Sequence, residues 1–221
     1  TNTDPLRSVV AHVFFVDGAL GATVANIYLT IVPKGTVTFM ATDYAPDVTG
    51  YIAAVTNYED TNLSADTMIG SAAITLASGH HCTLPAMAYQ KADSGKTSKL
   101  MLDMLPSPLA DQRPLLIVNN IGNAVSISGI VRGSHGNGTF SLPFGGQLRQ
   151  ITQTLDDSFS VTPYLSSLIP TTAYFGWMEI TGNGVGTDAS ISGAVLYFSP
   201  NTHISPGSFT GGYNLRHIVT P

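Results

Sequence analysis

YFGWMEITGNGVGTDASISGAVLYFSP, residues 174–200, sets two short apolar runs on either side of a polar, glycine-rich gap. Alternation puts Phe175 and Trp177 on one parity and Tyr174 and Gly176 on the other, so one set faces inward if the run is a strand. TGYIAAVTNYEDTNLSADTMIGSAAITLAS, residues 49–78, has the same layout. Around them, runs rich in Val, Ile, Thr, Tyr and Phe are punctuated by Gly, Pro, Asn and Asp, and helical periodicity is scarce. The chain therefore reads as all-β. Strands are expected near Val9–Val16, Ala25–Val32, Thr36–Ala41, Gly50–Asn57, Ile69–Ala77 and His81–Tyr89. A second set is expected near Leu115–Asn119, Val125–Val131, Thr139–Leu142, Gln147–Thr154, Ala173–Thr181 and Ile191–Phe198. Short helices or helical turns are expected at Ser98–Leu105 and Pro163–Ile169.

The two sets share landmarks in the same order. An apolar strand ends in Asp17 or Asn119, a glycine-containing turn follows, and a Thr/Ser-alternating strand comes next. Each set then reaches an apolar-Pro-x-Gly corner, Val32-Pro33-Lys34-Gly35 or Leu142-Pro143-Phe144-Gly145, where glycine is expected to supply a positive φ. Gly50-Tyr51-Ile52 matches Gly176-Trp177-Met178, and Ile69-Gly70-Ser71-Ala72 matches Ile191-Ser192-Gly193-Ala194. The expectation is two β-sandwich units, Ig-like or jelly-roll-like, related by internal duplication. They would occupy residues 1–92 and 114–221, with a connector at 93–113. Lys91, Lys96, Lys99 and Arg113, with Pro106, Pro108 and Pro114, suit such a connector.

Hydrophobic residues make up 43 % of the 221 positions and charged ones only 10 %, well below the roughly 25 % usual in soluble domains. A neutral surface of that kind packs readily against other proteins. With 9 basic and 14 acidic residues the net charge is −5, and no basic cluster exists to track a phosphate backbone, so nucleic acid is not an expected partner. No apolar run is long enough for a membrane-spanning helix. The start, TNTDPLRSVV, has no initiator Met or apolar leader, as expected of a mature exported chain.

VPKGTVTF, TGYIAAVTNYED and MIGSAAITLASGHHCTLPAMAY together resemble units of uncharacterised secreted bacterial surface proteins built from β-sandwich repeats. NNIGNAVSISGIV, FSLPFGGQL, YFGWMEITG and ISGAVLYFSP are similar to the same pattern. The resemblance implies an extracellular β-sandwich and no particular activity. Residues 155–173 depart from it. A second, local resemblance links FSVTPYLSSLIPTTAYFGW, residues 159–177, to jelly-roll coat proteins of small RNA viruses.

Chemistry is hard to place. His80 and Cys82 of GHHC would share one strand face and could begin a metal site, but a closed site needs four ligands. As a single cysteine, Cys82 excludes an internal disulfide. Glu59, Asp60 and Asp66, and separately Asp188, sit in oxygen-rich loops able to hold calcium, though solvated turns explain them as well. Asp156 and Asp157 suit a turn or a helix cap. Only Glu59 and Glu179 are glutamates, which argues against a glycosidase pair, and no Gly-x-Ser-x-Gly elbow occurs. No catalytic residue, cofactor or metal ligand is therefore assigned. Trp177, Tyr174 and Tyr197 are the expected glycan or partner contacts, either as a stacking platform or as buried core. Either terminus could add a strand to a neighbouring subunit or pair within its own chain. The expected function is a non-catalytic extracellular or cell-surface structural protein, self-assembling with copies of itself into a layer or filament. A glycan- or protein-binding adhesin module is the alternative, and a viral coat protein the third reading.

Overall fold

The computed structural model describes residues 1–61, 63–75, 81–88, 99–110, 112–184, 189–198 and 209–218. Val9, Ala11, Val13 and Phe15 are buried and alternate with half-buried Val10, His12, Phe14 and Val16, so β1 (Val9–Asp17) has one fully packed face. Asp17 closes the strand by accepting the N–H groups of Ala19 (2.7 Å) and Leu20 (2.9 Å) on Oδ1. Gly21 (φ 67) then turns the chain into β2 (Thr23–Ile31). The other edge of β1 pairs with β3 (Gly50–Tyr58), giving an antiparallel sheet of order β2-β1-β3.

The packed face of this sheet carries Ala11, Val13, Phe15 and Ile31, against which Phe39, Ala45 and Met68 fold. Thr36–Ala41, expected as a strand, is not one; residues 41–43 form a 3-10 turn instead. Packing explains the difference: Phe39 meets the Phe15 ring at 5.8 Å and Tyr44 stacks on it at 5.4 Å, which draws the segment across the sheet face. At the preceding corner the Gly35 N–H donates to the Val32 carbonyl (2.9 Å), and Lys34, not glycine, takes the left-handed position (φ 57). The N-terminus is tied down within this unit, where Asn2 is fully buried and its N–H donates to the Gly35 carbonyl.

The chain forms two compact units, Thr1–Ser71 with Gln147–Arg149, and Ala72–Gly146 with Gln150–Pro221. The strands after β3 are β4 (Ser71–Thr75), β5 (His81–Pro85), β6 (Lys99–Leu105), β7 (Arg113–Asn120), β8 (Ala124–Gly133) and β9 (Gly136–Pro143). Then come β10 (Gln150–Thr154), β11 (Val161–Thr162), the short helix α1 (Leu165–Leu168), β12 (Gly176–Gly184), β13 (Ile191–Phe198), β14 (Phe209–Asn214) and β15 (Arg216–Ile218). They make a six-stranded sheet β11-β9-β8-β12-β6-β15, a four-stranded sheet β10-β7-β13-β14 and a ribbon β4-β5. Among the described residues the protein is all-β, 56 % strand with one short helix, in several antiparallel sheets.

β7 reads as an unbroken apolar run, Pro114–Val118, because both of its faces are covered. Leu116 and Val118 are fully buried, while Leu115 and Ile117 pack against Cys82, Leu84, Ala194 and Leu196. In β12, by contrast, Met178 and Ile180 are fully buried and Trp177 and Glu179 are half-buried, which is the alternation of a one-sided strand. Gly193 lets the strands come close: a Cβ there would lie 3.2 Å from Leu100 Cδ1 of β6.

Two more expectations change. Ser98–Leu105, expected as helical, contains β6, which lies between β12 and β15 with Leu100, Leu102 and Leu105 fully buried. Leu and Met favour helices, but pairing to Met178 and Ile180 decides the outcome. This strand also lies inside the span 93–113 expected as a connector. Strands aligned by the sequence landmarks do not pair alike: β1 and β2 pair with each other, whereas β7 and β8 enter different sheets. The helix expected within Pro163–Ile169 is present as α1, and Asp157 Oδ1 accepts the Ser166 N–H in its first turn (2.9 Å).

Candidate functional site

Two exposed sheet faces gather the interaction-prone side chains. On the six-stranded sheet, Trp177, Glu179, Thr181 and Asn183 project from β12 on the side opposite buried Met178 and Ile180. Across the strands, the Arg132 guanidinium lies 5.0 Å over the Trp177 ring. Lys99 Nζ pairs with Glu179 Oε1 at 2.9 Å, and Asn183 Nδ2 donates to Ser128 Oγ (3.0 Å) and Ser126 Oγ (3.3 Å). Arg216 reaches Asp103 at 3.1 Å on the edge strand. The face mixes these polar groups with Ile130 and Met101, which flank Glu179, and carries one indole partly covered by a cation.

The three residues expected as contacts do not share one surface. Trp177 belongs to the face just described. Tyr174 precedes β12 and is 56 % exposed, beside Phe175 at 55 %. Tyr197 sits on β13 of the four-stranded sheet, where its hydroxyl donates to the Met104 carbonyl and lies 3.3 Å from the Tyr213 hydroxyl. Burial, reinforced by Tyr213, raises the Tyr197 pKa far above the ordinary phenol range, so its hydroxyl is held neutral and engaged.

The metal candidates are dispersed. Cys82 is buried, and burial pushes its thiol pKa up, while His81 on the same strand is exposed; His80 lies outside the described residues. Glu59, Asp60 and Asp66 are exposed, and Asp188 lies outside the described residues. Among the described residues no group of three or more His, Cys, Asp or Glu side chains comes together to hold a metal ion.

The second face was not singled out by sequence reasoning. It is the side of β2-β1-β3 opposite the Phe15 core, where His12 pairs in register with Tyr28 and Val55. The His12 ring stacks on Tyr28 (4.0 Å, 17°) and touches Phe14 (3.9 Å), and its Nε2 lies 3.1 Å from Asn26 Oδ1. Tyr28 is 68 % exposed and Val55 57 %. The signal for it is present in VVAHVFFV, which is apolar on both parities although only one face of the sheet is packed. A scan of protein-family models, a search of curated proteins and a search of solved structures each found no match.

Proposed function

We propose that the chain is a non-catalytic structural protein that works outside the cell, as a self-assembling subunit of a surface layer or filament. The observation carrying this reading is the partly open face of the first unit, where exposed Tyr28 and Val55 flank half-buried His12 and Phe14. Contiguous apolar surface of this kind marks contact with other proteins. The low charge of the chain, 10 %, removes much of the repulsion that keeps monomers apart. In the same reading the second unit is a β-sandwich, supported by Leu100 of one sheet meeting Gly193 of the other; relation of the units by duplication draws support only from the sequence landmarks.

Size-exclusion chromatography with light scattering, followed by negative-stain microscopy, tests the function. Polymers or sheets are expected as concentration rises. A strictly monomeric species at high concentration removes the structural reading, and closed shells would favour a coat protein.

A glycan-binding module is the second reading, favoured by Trp177 beside Arg132 on a sheet face that also carries Glu179 and, at the far end of β12, Asn183. Retention on immobilised glycans that Trp177→Ala abolishes, with the circular dichroism spectrum unchanged, would establish it. If Trp177→Ala unfolds the second unit, the indole is structural.

A further inference from the structure

The edges of the first sheet differ. The last three residues of β3 are covered on their outer side, where Ala65 N–H donates to the Thr56 carbonyl (2.9 Å) and Tyr58 N–H to the Leu63 carbonyl (2.8 Å). β2 is the other edge strand, and among the described residues no strand pairs with its outer side. Its sequence, TVANIYLTI, contains no charge and no proline, and its register shift against β1, at Val24, leaves Ala25–Ile31 regular. Natural sheets ordinarily blunt such an edge with a charge, a proline, a bulge or brevity. The six-stranded sheet does so: its edges are β11, two residues long, and β15, three residues long and carrying Arg216. β2, at 9 residues, spans about 30 Å of backbone.

We propose that β2 pairs antiparallel with β2 of a second copy of this chain, about a two-fold axis at Ile27, fusing two three-stranded sheets into one of six strands. The proposal rests on the self-assembly reading and names the surface and register that begin it. About Ile27 the regular part of the strand, from Ala25 on, is self-complementary: Ala25 meets Leu29 of the other copy and Asn26 meets Tyr28. No like charges oppose each other in this register. The axis stands perpendicular to the sheet, so both copies keep the same face outward. Ala25 and Leu29 remain on the side packed by the Phe15 core, and the two His12–Tyr28 stacks become neighbours on the other. The contact is isologous and closes as a dimer, so a layer or filament grows from this dimer through a second interface.

Sedimentation equilibrium of the full chain tests it with a charge-swap pair. Asn26→Lys with Tyr28→Lys sets lysine against lysine twice across the axis and should weaken dimerisation roughly tenfold or more. Asn26→Glu with Tyr28→Lys sets glutamate against lysine twice and should restore it. Both positions are exposed, and circular dichroism checks that each variant is folded. Hydrogen exchange of the unsubstituted chain at low and high concentration gives a measurement free of any variant: β2 amides should gain protection on association. Association with unchanged β2 exchange, or unaffected by the double-lysine variant, overturns the β2 edge while leaving self-assembly intact. Weakening without rescue overturns the Ile27 register. A wild-type chain that never associates overturns this proposal and the self-assembly reading together.

Discussion

Asn2 and Asp4 show how much a few polar side chains organise. The Asn2 amide donates to the carbonyls of Arg7 (2.8 Å), Ile31 (3.2 Å) and Val32 (3.3 Å), fastening the N-terminal residues to the end of β2. Asn2 is thereby packed within its own unit. Asp4 Oδ1 accepts the N–H groups of Leu6 (2.8 Å) and Arg7 (3.0 Å), while Oδ2 pairs with the Arg7 guanidinium (2.9 Å). Those backbone hydrogen bonds, then the guanidinium, hold the Asp4 pKa below its ordinary 3.8. A depressed carboxylate pKa stabilises the folded form above the unfolded value, and that contribution disappears as pH falls through the folded value. The stability advantage of the wild type over Asp4→Asn should therefore hold at neutral pH and shrink as pH drops below about 3.8, read from urea midpoints across an acid series.

At the scale of elements, β6 is the most informative. LMLDML has the residue types of a helix, and nothing in its local pattern announces a strand flanked on both sides. Leu102 is fully buried and pairs in register with Met178. Leu102→Ala should cost about 2–5 kcal/mol, the usual range for emptying a buried leucine site, seen as a lower denaturant midpoint for the second unit. A loss under about 0.5 kcal/mol, typical of a surface change, would mean that the segment is a peripheral connector after all. β1, β8, β12 and β13 were legible because each carries its own period of two or an unbroken apolar run. Thr36–Ala41 misled for the opposite reason: its residues favour strands, but Phe39 is claimed by the Phe15 and Tyr44 rings.

Across the whole molecule the scarcity of charge has a measurable consequence. The assembly surface proposed on the first unit is neutral, so its strength should not depend on screening. Raising salt from about 0.05 M to 1 M, which shortens the Debye length to about 3 Å, should leave the association constant unchanged or slightly higher. Dissociation by salt would place the interface instead at the ion pairs of the second unit, Lys99–Glu179 and Arg216–Asp103. The candidate contacts followed a similar division. Trp177 could be picked out as the single tryptophan in an alternating strand, but its pairing with Arg132 depends on β8 lying beside β12. The His12 face could not be found from composition, because exposed and packed sides of an apolar strand look the same in one dimension.

Sequence alone settled the all-β character, the position of most strands, the turn at Asp17 and the shortage of charge, because alternation, turn chemistry and composition are local properties. Tertiary structure alone decided which sheet each strand joins, that LMLDML is a strand, and which apolar faces stay open to solvent. Hydrogen-bond partners and covering layers come from residues far away in the chain, and the same short run is stable as helix, strand or loop until those neighbours choose for it.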